Sequence, residues 1–539
     1  MIGKAGIGKE ESGGPAGTMP PVGSSFFGRH FSIPKLALLV GLAITAVRIS
    51  LIGKGTMAFV DEQRYVTAML GLRALGEGHV LEFLRAINSM GARPGDGLWR
   101  VIPGLGQAAL LLVTGLNPNS PPSLQVPQLF NVLVMSLNML LLYKIYRRFF
   151  QAGMALLGIV LYSSLVNTNL YLRHLLPYDH ALFFFLLALW LLLRLTARSA
   201  GWKYGLVGAL AAFSYAVYPG YFMGPVVLLA LGTVLALASP TDGSEAKTAR
   251  RLVPVGLQLA GVLLVLGGLQ LLSLLADTSY WASSRYISTT VTQGSFDEGL
   301  SFIGRYYWQV EGWLGLGLLV LFGIGLLLCL GAAVRRPAAL LLAALLSVSF
   351  LAWLGYAGAV LAHKMVFYSR ILHFFGPFIV LGALVALNRL ASARLAVNAL
   401  LLIFGSALAL GRFGAFASAY KAIEYPSDVA YDHGIHDYNQ IAANEISVCD
   451  KNIIFNRLFG PRLRPIQVII SQPTRYQFVN FAYLYPISCY KAPSLKAGTV
   501  VASVPYFMKY PAYQFEGHNQ AQRAILRNYA VEFRIIKMN

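Results

Sequence analysis

Two acidic positions beside apolar runs have the residue types best suited to chemistry. Asp61 and Glu62 stand in Asp61-Glu62-Gln63-Arg64-Tyr65, shortly after the first apolar run, and Asp179 directly precedes a later one. A carboxylate at a membrane edge can take a proton from an attacking hydroxyl. Adjacent acids in an extended segment point opposite ways, so one of Asp61 and Glu62 would face the reacting centre and the other would support it. The alternatives are a solvated loop for Asp61 and Glu62, and a helix N-cap for Asp179.

Basic and aromatic residues form a second set near the same membrane edge. The basic members are Arg64, Arg93, Arg100, Arg173, Arg285, Arg305, Lys364 and Arg370, and the aromatic members are Tyr65, Tyr178, Tyr218, Tyr221, Tyr280, Trp281, Tyr306, Tyr307, Trp308 and Tyr368. Arginine binds phosphate oxygens bidentately, although basic residues also snorkel and aromatic residues also line membrane interfaces. Carboxylates beside such cations suit a lipid-phosphate-linked sugar, whose phosphate is held while an Asp activates the acceptor hydroxyl. The histidines near Asp179 lack the spacing of metal ligands.

The composition requires membrane helices to position these residues. The chain has 539 residues, of which 56% are hydrophobic and 12% charged, and its mean hydropathy is +0.61. Ordinary soluble domains carry about 25% charged residues. The apolar runs have the length of spanning helices, roughly 20 residues, and exceed the strands of a membrane β-barrel. The net charge of +21 falls mostly in short loops, which indicates membrane orientation and argues against a nucleic-acid partner.

The apolar runs predict eleven spans. They are 34–53, 126–146, 152–170, 178–195, 203–218, 219–238, 252–275, 312–334, 337–361, 370–388 and 395–413. Basic residues occur at every second connection, beginning with Arg147 and Arg148. By the positive-inside rule these connections are cytoplasmic. Residues 1–33 are then a flexible cytoplasmic tail, residues 34–413 the membrane domain and residues 414–539 an extracytoplasmic domain. A bacterial inner membrane is the expected location.

The outer side holds the loops 54–125 and 276–311 together with the C-terminal domain. Within the first loop, residues 63–76 and 97–116 are predicted to be helices that lie at the outer surface or dip into it. Short runs such as Ile466–Ile470 and Thr499–Val504 predict strands, and hence a small α/β domain. Cys449 and Cys489 in this domain either pair as a disulfide or stay free, whereas Cys329 falls inside a span.

The order of these parts resembles the GT-C superfamily of polytopic glycosyltransferases. The nearest likeness is to the branch that holds protein O-mannosyltransferases and the lipid A aminoarabinose transferase. In that branch an Asp-Glu motif, often followed by Arg-Tyr, comes after the first span, as Asp61–Tyr65 does here. A second outer Asp opens the fourth span, as Asp179 does. A basic and Tyr-bearing segment, here Lys364–Arg370, precedes a span with a proline, here Pro377. The chain has Ala92-Arg93-Pro94-Gly95 where the family has a His-x-Pro-Pro type segment.

The resemblance implies an inverting glycosyltransferase with a mainly α fold, a transmembrane helical bundle that carries outer interfacial helices and the C-terminal α/β domain. A polyprenyl-phosphate sugar would be the donor, and a lipid glycan, a polysaccharide or a protein would be the acceptor. Asp61 would be the catalytic base, supported by Glu62, and Asp179 the second active-site acid. The residues near the donor phosphate or substrate would be Arg64, Tyr65, Arg93, Arg173, Lys364, Tyr368 and Arg370. Some relatives use a divalent metal ion, so a metal cofactor is possible although the sequence shows no site for one.

Two other classes of function compete with this interpretation. A transporter or flippase of a lipid-linked saccharide would carry charged residues in the middle of its spans. The chain is poor in these, and Arg48 and the interrupted segment Arg173–Asp179 are the exceptions. A binding or scaffold protein with an outer receptor domain would leave the outer acids without a role. Loss of sugar transfer on substitution of Asp61 would separate the three.

Overall fold

A computed structural model gives the fold of the chain. It describes residues 33–52, 63–89, 97–115, 125–196, 199–238, 248–286, 289, 307–335, 339–362, 369–391, 395–421, 476–482, 498–507 and 530–538. The predicted tail 1–33 therefore lies outside the described residues except for its last position, which begins the first helix.

Helices make up nearly all of the described chain before residue 422. They are α1 Ile33–Ser50, α2 Gln63–Gly76, α3 Val80–Ser89, α4 Gly97–Thr114, α5 Gln125–Tyr146, α6 Ala152–Ser164, α7 Val166–Asn169, α8 Tyr178–Leu192, α9 Gly201–Val217, α10 Met223–Ala238, α11 Thr248–Leu275, α12 Tyr280–Tyr286, α13 Gly312–Arg335, α14 Leu340–Leu361, α15 Ser369–Ala391 and α16 Leu395–Lys421. A 3-10 turn, Pro219–Tyr221, precedes α10, and a π-helical turn, Tyr307–Glu311, precedes α13.

Among the described residues, seven helices are long and apolar enough to cross a membrane. These are Gln125–Tyr146, Pro219–Ala238, Leu252–Leu275, Gly312–Val334, Leu340–Ala359, Ile371–Leu390 and Leu400–Ser418. Every one of the eleven predicted spans contains a helix. The four others are α1, α6, α8 and α9, with 18, 13, 15 and 17 residues. The chain is thus an integral membrane protein with a mainly α-helical fold, as predicted.

The span predicted over 152–170 is not one continuous helix. It ends at Ser164, and Leu165 has an extended backbone (φ −66°, ψ 135°) before the single turn α7. The reason is local competition for the backbone. The Asn169 amide nitrogen donates to the carbonyls of Ser163 and Leu165, and the Thr168 hydroxyl donates to that of Tyr162. Short polar side chains often divert backbone groups in this way.

The two helices predicted in the first outer loop are present. Helix α2 covers the predicted residues 63–76, and α4 ends at Thr114 inside the predicted 97–116. A small apolar cluster joins them to the start of α5 and to the segment before α8, through Ala68, Ala108, Leu111, Val126 and Leu175. The Gln107 amide also donates to the Asn131 side chain of α5 at 2.9 Å. These contacts hold the loop helices against one end of the bundle.

Glycines allow two pairs of long helices to approach closely. A Cβ on Gly208 of α9 would overlap the carbonyl of Gln258 in α11, and one on Gly261 of α11 would overlap the carbonyl of Gly205. Gly325 of α13 meets the carbonyl of Gly382 in α15 in the same way. Small residues at helix contacts are the usual means of packing within a membrane.

The described part of the C-terminal region is a three-stranded antiparallel sheet in the order β1-β3-β2. Its strands are β1 Tyr476–Ala482, β2 Gly498–Phe507 and β3 Ala530–Met538. Tyr476 pairs with Lys537, and Gly498 pairs with Met538. The strand predicted at Thr499–Val504 is confirmed within β2. The run Ile466–Ile470, Cys449 and Cys489 lie outside the described residues, while Cys329 is a buried free cysteine inside α13.

Candidate active site

Asp179 is buried at the start of α8, with 7% of its surface exposed. Pro177 occupies the N-cap position and makes no capping bond. Asp179 is therefore not the N-cap, which was the structural alternative to a functional role. The Asn138 amide of α5 donates to the Asp179 backbone carbonyl at 3.0 Å and lies 3.5 Å from its carboxylate. A carboxylate this deep in a helical bundle costs free energy unless neighbours compensate it.

The neighbour that faces the Asp179 carboxylate is His373 of α15. Its Nε2 lies 3.4 Å from Asp179 Oδ1, and the His373 side chain is 1% exposed. On the other side of the ring, the Tyr221 hydroxyl is 2.7 Å from His373 Nδ1. Tyr221 is fixed in turn, because the Tyr356 hydroxyl donates to the carbonyl of Gly220 at 2.6 Å. Tyr221, His373 and Asp179 are buried residues from three separate segments. They thus form one line of polar contacts that ends at the Asp179 carboxylate.

Edge-to-face aromatic contacts form one wall beside this line. The rings of Tyr178 and Tyr218 are 4.8 Å apart, and those of Tyr218 and Tyr221 are 5.3 Å apart. All three tyrosines are buried, whereas Trp281 and Trp308 are 50% and 45% exposed. These three tyrosines are therefore core residues and not part of an interface belt.

Arg48 brings a buried positive charge to the same region. It lies in the last turn of α1 and is fully buried. Its Nε donates to the Asn169 side chain at 2.8 Å and its Nη1 contacts Met139 Sδ at 3.4 Å. Its charge interacts electrostatically with Asp179. The break after Ser164 has a role here, because it turns Asn169 toward this guanidinium.

Arg173 links three segments at this end of the bundle. Its Nε donates to the Leu51 carbonyl at 2.6 Å and its Nη1 to the Tyr420 carbonyl at 2.9 Å. The guanidinium also stacks over the Tyr420 ring, 4.4 Å from its centroid. The ends of α1 and α16 and the segment before α8 are thereby joined. The phosphate contact predicted for Arg173 stays a prediction, and two of its donors already bind backbone oxygens.

Glu311 is a second buried carboxylate, and the sequence analysis did not single it out. Its two oxygens accept the backbone N–H groups of Val166 and Asn167, both at 2.8 Å. It thereby caps α7 at the break in the predicted span. The Arg412 guanidinium donates to the neighbouring Val310 carbonyl. This arrangement indicates a structural carboxylate.

The remaining predicted site residues fall into two groups. Asp61, Glu62, Arg93, Lys364 and Tyr368 lie outside the described residues. Arg64 and Tyr65 are in the first turn of α2, and Arg370 is in the first turn of α15. Arg370 precedes His373 by about one helical turn, so the backbone brings it near the Asp179 site.

The described side chains do not complete a metal site. No group of three or more His, Cys, Asp and Glu residues gathers anywhere in the described ranges. Asp179 and His373 offer two donors, and a catalytic metal site commonly needs three from the protein. We therefore assign no step to a metal ion.

Comparison with known proteins gives one family match. Residues 122–266 match the family described as dolichyl-phosphate-mannose-protein mannosyltransferase. The matched segment runs from the start of α5 into α11. It includes Asn138, Asp179 and Tyr221, and Arg173 as well. No curated protein matches the sequence.

Two crystal structures of the Archaeoglobus fulgidus oligosaccharyltransferase show a distant likeness. The one in complex with Zn and sulfate has 11% identity and a TM-score of 0.42, and covers 79% of this chain and 57% of that chain. The one tethered with an acceptor peptide containing the NVT sequon has 10% identity and a TM-score of 0.44, and covers 80% and 59%. This chain thus spans less than two thirds of either structure, and a likeness of this size carries no argument about function.

Proposed function

We propose that this chain transfers a sugar from a polyprenyl-phosphate donor to an acceptor on the outer face of the membrane. The match to the mannosyltransferase family supports a GT-C superfamily glycosyltransferase. The acceptor is a lipid glycan, a polysaccharide or a protein. The N-terminus is cytoplasmic and the C-terminal domain extracytoplasmic in this proposal, as the basic connections predict.

The observation that carries the proposal is the buried Asp179 carboxylate. It lies inside the family-matched segment and faces His373 and Asn138 within the helical bundle. Ionisable residues within membrane helices are costly and mark functional sites by default. Asp179 therefore requires an explanation beyond stability, and a place beside the reacting centre supplies one.

The reaction is a single displacement at the anomeric carbon of the sugar. The acceptor hydroxyl oxygen forms a bond to that carbon while the bond from the carbon to the phosphate oxygen breaks. The electron pair leaves with the lipid phosphate, and a carboxylate takes the hydroxyl proton. Attack opposite the leaving phosphate inverts the configuration. Asp61 is our candidate for the base, with Glu62 in support and Asp179 as the second acid.

The donor phosphate needs cations near this carboxylate. Arg64, Lys364 and Arg370 are our candidates. Arg64 follows Asp61 and Glu62 closely in the sequence, and Lys364 begins the basic segment that ends at Arg370, a helical turn from His373. Tyr65, Arg93 and Tyr368 remain candidates for substrate contact. Arg173 is our choice for holding the site together, because two of its donors already bind backbone carbonyls.

The test is sugar transfer in membranes that contain the full chain and a radiolabelled polyprenyl-phosphate sugar. Asp61→Asn keeps the size of the side chain and removes the base, so transfer is expected to fall at least about a hundredfold. Normal transfer by a stably expressed Asp61→Asn protein would overturn the proposal. Translocation of the labelled lipid without transfer, by the wild type, would instead identify a flippase.

A further inference from the structure

A second site lies at the opposite end of α5 and α8 from Asp179. There a cavity of about 370 Å³ is lined by Lys144, Arg147, Arg148 and Arg194. No acidic residue lines it. Four positive charges around one small cavity repel one another unless an anion offsets them.

Trp190 orders two of these cations. The Lys144 Nζ lies 5.1 Å from the centroid of the Trp190 ring, and the Arg194 guanidinium carbon lies 4.8 Å from it. A third cation is also held, because Arg147 Nη1 donates to the Phe150 carbonyl at 2.8 Å in the turn after α5. The charged groups are therefore arranged before any ligand arrives, which lowers the entropy cost of binding.

Membrane orientation alone does not account for this arrangement. A basic loop that serves only the positive-inside rule needs charge and no cavity. Lys203 provides the comparison on the same side of the predicted topology. Its Nζ lies 5.9 Å from the ring of Trp202, which is 67% exposed, and neither residue lines this cavity. Trp190 is half-buried and forms part of the cavity wall.

We propose that this cavity binds the headgroup of an anionic phospholipid. Arginine and lysine donors suit phosphate oxygens. Ile145, Leu193 and Trp190 also line the cavity, so part of its wall is apolar and suits the start of an acyl chain. Basic pockets between membrane helices are a common place for such headgroups. The site is roughly 20 Å along α8 from Asp179, so it is separate from the proposed donor site.

The test is lipid retention by the purified, delipidated full chain, counted by native mass spectrometry. Phosphatidylglycerol is compared with phosphatidylcholine, which carries the same phosphate and an added cation. We expect the wild type to retain phosphatidylglycerol preferentially. Arg194→Gln and, separately, Lys144→Gln should each lower that retention about fivefold, because each removes one charge next to the phosphate. Both side chains are exposed, so neither change disturbs the core.

Lys203→Gln is the matched control. It removes one charge and one cation–Trp contact on the same predicted side, and it should leave retention within about twofold of the wild type. Equal retention of the two lipids by the wild type would overturn the proposal, as would equal losses in Arg194→Gln and Lys203→Gln. Competition by inorganic phosphate at the concentration of the lipid would overturn the lipid assignment and indicate a soluble phosphate ligand.

Discussion

The imidazole Nε2 of His373 lies 3.4 Å from the Asp179 carboxylate, and both side chains are buried in the helical bundle. The two residues belong to α15 and α8, far apart in the sequence. The Tyr221 hydroxyl contacts the other ring nitrogen of His373 at 2.7 Å. Histidine is thus positioned to orient the carboxylate, and Tyr221 to orient the histidine.

Substitution of His373 should therefore lower the rate of sugar transfer. His373→Phe removes the polar neighbour of the buried Asp179 carboxylate, and kcat should fall about 10- to 100-fold, because a buried carboxylate is costly without polar neighbours that compensate it. His373→Gln keeps a donor and should retain more activity. The measurement is initial rates across donor concentrations, on protein checked for folding by its thermal midpoint. A His373→Phe protein that transfers sugar as fast as the wild type would exclude this role.

The pH dependence of stability should report on Glu311, which directly precedes the span Gly312–Val334. Burial raises the pKa of Glu311 from 4.5 to about 7, against the lowering effect of the two backbone N–H groups and Arg412. The folded state then binds a proton more tightly than the unfolded state. Glu311 therefore destabilises the fold progressively as pH rises from about 4.5 through about 7, by up to about 3 kcal/mol.

Thermal unfolding of detergent-purified protein at pH 5 and pH 8 measures this effect. The midpoint of the wild type should fall with rising pH by more than that of Glu311→Gln, which cannot titrate. Glu311→Gln should also be less stable than the wild type at pH 5, because its amide leaves one backbone N–H without an acceptor. Parallel pH profiles of the two proteins would contradict the assignment.

The close contact of α9 and α11 predicts that Gly208 tolerates no side chain. Gly208→Ala would force a Cβ into the carbonyl of Gln258. Backbone must then move, and overpacking of this kind costs about 1–3 kcal/mol. Gly256→Ala in α11 is the control, because a Cβ there meets nothing within 4 Å. Thermal midpoints in detergent should fall for Gly208→Ala alone. Equal midpoints for the two variants would show that the helices are not packed this closely.

Arg173 should prove to be a structural residue whose loss lowers stability. Arg173→Lys cannot keep both bonds to the Leu51 and Tyr420 carbonyls or the stacking on Tyr420, because lysine lacks the planar fork. A loss of about 1–3 kcal/mol is expected in thermal unfolding. Arg85→Lys provides the comparison, since Arg85 pairs with Asp277 at 2.9 Å on an exposed surface and should cost little. An Arg173→Lys protein as stable as Arg85→Lys would refute the structural role.

The meeting of several helix ends around Arg173 and Asp179 could be predicted, because charge patterning assigns helix ends to one side of a membrane. The ends of α1, α8, α15 and α16 were expected on the same side, and Arg173 and Asp179 do contact residues at those ends. The residues that contact Asp179 and Val166 could not be predicted. A single His373 in an apolar helix carries no spacing signal, and Glu311 reaches Val166 only through the tertiary fold.

The break at Leu165 escaped sequence reasoning for a different reason. Residues 152–170 have the overall hydropathy of a span, and the polar side chains near its end can either face neighbours or bond to their own backbone. Asn169 does both, because its amide nitrogen caps the carbonyls of Ser163 and Leu165 while its oxygen accepts from Arg48. Only the fold determines which option a residue takes.

A comparison of the sugar-transfer rates of the Asp179→Asn and Asp277→Asn proteins tests the central claim most directly. Both changes replace one carboxylate by an amide, but Asp179 is buried in the proposed site and Asp277 is an exposed partner of Arg85. With a labelled polyprenyl-phosphate sugar and equal amounts of folded protein, Asp179→Asn should transfer at least about a hundredfold more slowly than the wild type. Asp277→Asn should match the wild type. Full activity in a folded Asp179→Asn protein would contradict the account.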